Sequence, residues 1–134
     1  MKRRELREHI FELLFRIEFN SWEEMPEQIR LFFADLEELK EEDQSYIEAK
    51  YAHIVERLPE IDKEIEETAK GWKLSRMGKV DLAILRLAVY ETEFDDDVPV
   101  GVAINEAVEL SKKFGGDDSP AFINGILGKI GKKE

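Results

Sequence analysis

Arg3 and Arg7 stand four residues apart near the start of the chain, with Lys2 and Arg4 beside them and Glu5 and Glu8 interleaved. On a helix, that spacing projects both guanidinium groups from one side of the first two turns. Like charges repel there, and cations oppose the positive end of the helix dipole. An arriving anion relieves both effects. Guanidinium groups grip phosphate bidentately and stack on exposed bases, so the chemistry on offer is nucleic-acid binding. Pairing with Glu5, Glu8 and nearby acids relieves the same repulsion without a ligand, and spacing alone leaves both readings open. Further basic clusters lie at Lys70, Lys73, Arg76 and Lys79, at Lys112 and Lys113, and at Lys129, Lys132 and Lys133. Each alone fits either a solvated surface or a local anion site.

Asp81 poses a different question. It lies in an otherwise apolar run, where the polar exceptions are Asp81, Arg86, Tyr90 and Glu91. A buried charge there needs a partner. Either an internal arginine supplies it, or Asp81 sits at the helix edge and offers an acidic contact to a basic partner. Asp117 and Asp118 precede a helix, where adjacent carboxylates act as caps rather than as an acid–base pair. Asp95 to Asp97 lack the rest of a calcium-loop pattern. His9 reads as packed or solvent-facing, and Trp22 and Trp72 as core or helix-edge residues. No phosphate-cradling glycine loop and no zinc-protease motif is present, so no catalytic residue, metal set or cofactor is expected.

Helical periodicity must position these groups. Leu6, Ile10, Leu13, Leu14 and Ile17, with a second stripe at Phe11, Phe15 and Phe19, predict a helix over 4–19. Asn20 breaks it. Ser21 with Glu24 fits a capping box, and Pro26 suits a first turn, predicting a second helix over 26–40. Asp43 is placed to cap a third over 44–58, and Pro59 to open a fourth over 59–70, which Gly71 stops. Val80 to Val89 is apolar nearly all round, so the fifth helix, over 76–94, is the buried central one. A sixth over 99–113 ends at Phe114, Gly115 and Gly116. Ser119 and Pro120 open a seventh over 120–131. Gly125 and Gly128 on it predict a close approach of another backbone. No alternating strand pattern appears. The expected class is all-α, with about seven helices.

The chain has 134 residues, with 20 Lys+Arg against 31 Asp+Glu and a net charge of −11. That length suits one domain, 1–134. The 43% apolar content argues against wholesale disorder. Cysteine is absent and only His9 and His53 are present, excluding a disulfide scaffold, a thiolate nucleophile and a multi-His metal site. With no apolar run long enough for a membrane span and no secretory signal, the chain reads as soluble and cytoplasmic. Residues 21–68 hold five bases and sixteen acids, so the middle third carries the whole imbalance. The expected picture is a small basic patch on an acidic body.

Three ordered blocks carry a resemblance. The first is Gly71-Trp72-Lys73-Leu74-Ser75-Arg76-Met77-Gly78-Lys79-Val80-Asp81, continuing through Ile84-Leu85-Arg86-Leu87-Ala88-Val89-Tyr90-Glu91. The second is Val98-Pro99 followed by Val102 to Leu110. The third is Lys112-Lys113-Phe114-Gly115, then Asp118-Ser119 and Phe122 to Leu127. Together with Arg3, Arg4, Arg7 and Glu8, they resemble the NusB family of bacterial transcription antitermination factors. The likeness spans the chain, specific from Gly71 to Leu127 and loose from Trp22 to Lys70.

The resemblance implies two packed helical bundles and an RNA-binding adaptor. NusB proteins bind the boxA element of leader RNA with NusE, a small-subunit ribosomal protein. The pair joins other Nus factors on RNA polymerase and suppresses premature termination, notably in ribosomal RNA operons. By the same likeness Lys2, Arg3, Arg4 and Arg7 belong to the RNA surface, together with Lys113, Phe114, Asp118 and Phe122. Phe15 and Asp81 match positions that face NusE. Some family members form homodimers. Two departures from the pattern stand out: the short basic run before Glu5 implies weak RNA binding without NusE, and the acidic region of the second and third helices implies a face that repels RNA. A NusB-like domain also opens certain ribosomal RNA cytosine methyltransferases, but this sequence ends at Glu134 without a glycine-rich cofactor loop. The remaining alternative is a helical interaction module that does not touch RNA.

Overall fold

The computed structural model describes residues 1–132. Among them the regular elements are seven α-helices: α1 (Arg3–Arg16), α2 (Met25–Ala34), α3 (Glu41–Glu56), α4 (Leu58–Thr68), α5 (Lys79–Phe94), α6 (Val100–Phe114) and α7 (Ser119–Gly131). Short 3-10 turns at Ile17–Phe19 and Leu74–Arg76 extend α1 and precede α5. The all-α expectation holds. Lys133, counted in the last basic cluster, and Glu134 lie outside the described residues.

Helix α5 is central because its sequence leaves it no polar face. Every residue from Leu82 to Val89 is buried, Arg86 included. It packs against α1, α4, α6 and α7, while α2 and α3 lean on α1. Thus α1–α3 form one bundle, α4–α7 the other, and the α1–α5 contact is the seam. Leu13 and Leu14 from α1 and Ile84, Leu85 and Leu87 from α5 are nearly inaccessible in a core shared by both bundles. Truncating one of them, such as Leu85→Ala, costs about 2–5 kcal/mol.

The helix ends show where local chemistry overrides periodicity. Helix α2 stops at Ala34 although Leu36 and Leu39 continue its apolar spacing. Asp35, Glu37 and Glu38 would add negative charge at the negative end of the dipole, so continuation is disfavoured. Leu36 and Leu39 still pack on the core from a turn in which Glu38 adopts φ +55°. Asp43 does not cap α3, which begins at Glu41. It accepts instead from the N-terminal ammonium at 3.3 Å, pinning the start of the chain to α3. The Ser21 amide donates to Glu24 Oε1 at 2.8 Å, so half of the expected capping box forms, in the turn before α2. Gly71, with φ +87°, makes the reversal after α4.

Gly115 lets α7 start close against the end of α6. A Cβ there would lie 2.6 Å from Ser119 Oγ and 2.8 Å from the Ser111 carbonyl oxygen. The Gly116 amide donates to Ser119 Oγ at 3.1 Å, fixing the turn. The close backbone approach expected at Gly125 and Gly128 is absent, because a Cβ at either would meet nothing within 4 Å.

Candidate nucleic-acid interface

The N-terminal cations separate once folded. Lys2 precedes α1 in extended conformation with no side-chain cap, and Lys2, Arg3 and Arg4 are all exposed. Arg3 faces a recess of about 300 Å³ that it shares with Tyr46, His53, Tyr90 and Asp95. Arg4 turns to the other side and donates to both Glu106 oxygens on α6, at 3.0 and 3.1 Å. Those hydrogen bonds and the Glu106 charge raise its pKa.

Arg7 corrects the expected shared projection with Arg3. Its guanidinium is buried and donates to both oxygens of Glu91 on α5, each at 2.8 Å. Lys50 of α3 reaches Glu91 at 2.9 Å and Asp95 at 3.1 Å. Burial alone would push the pKa of Arg7 and Lys50 down, but hydrogen bonding and attraction to Glu91 leave both raised. Arg7 is thus the bolt between α1 and α5, and only its edge reaches the surface groove between α1 and α6.

That groove has a volume of about 390 Å³, and Arg4, Glu8, Glu106, Lys112 and Lys113 line it. Lys113 donates to both Glu8 oxygens at 2.9 and 3.0 Å, and Lys112 pairs with Glu109 at 3.5 Å. Each basic side chain on the rim therefore rests on a carboxylate. Lys113 also lies 5.4 Å above the Phe114 ring. Phe114 stands 4.9 Å from Phe11, Phe11 is 6.1 Å from Phe15, and Phe15 is 4.9 Å from Phe19, centroid to centroid. This aromatic row runs along α1 from the end of α6 to Phe19, which is 60% exposed. Phe15 is half-buried within it.

A second recess, of about 410 Å³, brings together Asp81, Asp118 and Phe122, with Trp72, Gly116 and Asp117 completing it. Asp81 has no internal arginine partner. Arg86 is committed to both oxygens of Asp62, at 2.9 and 3.0 Å, and to Glu18 at 3.0 Å. Asp81 stands in the first turn of α5 on the wall of this recess, which fits the helix-edge reading, although its Oδ1 is shielded from solvent with no hydrogen-bond partner. Asp118 stands at the N-cap position of α7 but makes no side-chain cap bond. Trp72 meets Phe122 edge-on at 5.7 Å and is 52% exposed, so it is neither core nor a packed helix edge. Sequence reasoning missed this residue. Its only signal was an aromatic set between Lys70 and Lys73 just after a helix stop. Sequence reasoning also missed Lys50 as the third member of the buried cluster.

Among the described residues, no group of three or more His, Asp or Glu side chains is arranged to hold a metal ion. Nor is any helix long and apolar enough to cross a membrane. The arrangement can exchange carboxylates for phosphates along α1 and α6 and offer aromatic faces and edges to bases.

Comparison with known proteins gives the chain's family. The transcription antitermination protein NusB of Lachnoclostridium phytofermentans is 54% identical over 130 residues, 97% of this chain and 98% of that protein. That of Agathobacter rectalis is 50% identical, covering 97% and 99%. The T. maritima NusB crystal structure superposes with a TM-score of 0.88 at 34% identity, over 100% of this chain and 93% of that one. A structure of antitermination factors NusB and NusE in complex with dsRNA gives a TM-score of 0.86 at 25% identity, over 98% and 97% of the two chains. The family profile covers residues 4–132, and on these grounds the chain belongs to the NusB family.

Proposed function

We propose that residues 1–134 act as one cytoplasmic RNA-binding domain in transcription antitermination. In this reading the chain binds boxA leader RNA jointly with NusE and helps assemble the antitermination complex on RNA polymerase, without catalysing bond chemistry. The observation that carries the reading is the α1–α6 groove. Its rim cations Arg4 and Lys113 lie on opposite walls, and the Phe114 ring sits under Lys113. Phosphates take the places that Glu106 and Glu8 now occupy, and aromatic side chains hold unstacked bases. Lys2 and Arg3 add charge at the edge, and Asp118 and Phe122 extend the surface at the start of α7. Arg7 contributes by holding α1 on α5. Phe15 and Asp81 serve the NusE contact, where the Asp81 carboxylate, on the wall of the recess, accepts from a basic protein.

A net charge of −11 disfavours approach of RNA to the body as a whole, so a basic partner aids assembly. With three to five phosphates neutralised, log K falls against log salt with a slope of roughly −2 to −3.5. The test is fluorescence anisotropy with boxA RNA, a scrambled strand and a duplex, each with and without NusE. Preference for boxA that NusE strengthens supports the reading. Equal binding to all three, or none with NusE present, overturns it in favour of a helical interaction module.

A further inference from the structure

The α2–α3 side of the molecule is built differently from the RNA-facing groove. Helices α2 and α3 both rest on α1, yet between them runs an open groove of about 490 Å³. Ile29 and Phe33 form one wall, a turn apart on α2, with Pro26 at its end. Tyr51 and Ala52 on α3 form the other, with Glu48 one turn back. Its lining cation, Arg30, is already paired with Glu27. A bundle of three helices with an apolar trough between two of them has the shape of a bundle that lacks its fourth helix.

Charge identifies what fills it. Of the five bases in residues 21–68, Lys50 is buried against Glu91 and Asp95, Arg30, Arg57 and Lys63 pair with Glu27, Glu60 and Glu67, and Lys40 is exposed just before α3. Glu23, Glu37, Glu41, Glu42, Glu48 and Glu56 remain as exposed acids along and around α2 and α3. Of these acids Glu48 lines the groove itself, and six of them against exposed Lys40 give this side of the molecule a field that repels RNA and anionic membranes. A cationic helix with an aliphatic stripe matches both the apolar floor and that field. We infer that the α2–α3 groove is a docking site for a basic amphipathic helix of a partner protein. It shares no residue with the α1–α6 groove, so both sites can be occupied at once. The inference does not depend on the RNA reading.

The probe is an 18-residue synthetic helix with leucines at i, i+3, i+4 and i+7 spacing and lysines on the other face. It is titrated into the full-length 15N-labelled chain. One control keeps the composition but scatters the leucines, and another replaces lysine by glutamate. The expected result is amide shifts centred on Ile29, Phe33, Glu48 and Ala52 with the amphipathic lysine peptide. Affinity should fall at least tenfold with the scattered peptide, with Ala52→Arg, which fills the trough from an exposed position, and with Glu37→Gln, Glu41→Gln and Glu48→Gln combined. Ala52→Arg should leave boxA RNA affinity unchanged. Equal affinity for the scattered peptide would mean mere charge adsorption. Shifts centred on Phe19 and Trp22, or none at all, would place the partner elsewhere or nowhere. Concentration-dependent dimerisation abolished by Ala52→Arg would make a second copy of the chain the occupant. Each of these outcomes overturns the proposal.

Discussion

Arg4 and Arg7 lie three residues apart on one helix, and each holds a glutamate bidentately from a distant helix. Yet the Arg4 side chain is 58% exposed and that of Arg7 only 8%. The Arg4–Glu106 pair sits in water and salt, where attraction is screened and an exchange for phosphate costs little. The Arg7–Glu91 pair sits between α1 and α5 with Lys50 behind it, where losing one member leaves a buried charge uncompensated. Residue type and partner type are alike in the two cases, and burial decides that one pair is exchangeable and the other structural.

The largest expected effect comes from removing Glu91. Glu91→Gln strips the shared acceptor from Arg7 and Lys50 and should destabilise the fold by about 3–5 kcal/mol, read as a fall in the urea midpoint. Glu106→Gln should leave that midpoint nearly unmoved. Equal losses from the two substitutions would erase the distinction between the pairs.

RNA affinity should sort the same residues in the opposite order. Arg4→Glu combined with Lys113→Glu should weaken boxA binding by tenfold or more with little change in thermal midpoint. The salt slope should become shallower by roughly 0.7 for each phosphate no longer neutralised. Arg7→Lys, which keeps the charge but loses the bidentate fork, should lower stability while RNA affinity of the folded fraction stays near wild type. If Arg7→Lys instead cost RNA affinity at unchanged stability, Arg7 would belong to the binding surface after all.

Glu106→Gln sharpens the comparison from the other side. If phosphate must displace Glu106, removing its charge should raise RNA affinity several-fold at low salt, and the gain should shrink as salt rises. A loss of affinity would mean that Glu106 orients Arg4 for RNA rather than competing with it.

Much of this molecule was legible because helix periodicity is a local signal. The apolar circumference of Val80–Val89 marked α5 as central, and the Phe11, Phe15 and Phe19 stripe marked a second face of α1. Helix ends were less legible, since the end of α2 follows from three acids against a dipole while Leu36 and Leu39 still pack. The burial of Arg7 had a local signal, since Arg7 precedes Ile10, Phe11 and Leu14 at helical spacing on the apolar face of α1, whereas Arg4 precedes Arg7 and Glu8. Its partner had none, because Glu91 lies 84 residues further along the chain. The recess holding Asp81, Asp118 and Phe122 joins the starts of two helices that only tertiary packing brings together. The orphaned Asp81 oxygen and the exposed Trp72 became visible only there.

Alkaline titration gives the smallest effect and still separates the two regions. Lys50 has its pKa raised in the fold by Glu91 against the opposing effect of burial, and burial raises the phenols of Tyr51 and Tyr90. A group whose folded pKa exceeds its unfolded value binds more protons folded than unfolded once pH passes the unfolded value. Stability from these groups is therefore complete below about pH 10, where unfolded Tyr and Lys begin to titrate. It drains away as pH rises through their higher folded values. The urea midpoint should be flat from pH 7 to 9 and fall beyond 10, with a shallower fall in Tyr51→Phe. Arg4, an arginine and so charged throughout that range, should keep its pair with Glu106 intact. A midpoint that stays level to pH 11 would show that Lys50 and the two tyrosines titrate alike folded and unfolded, and that the buried cluster is no better insulated from water than the groove.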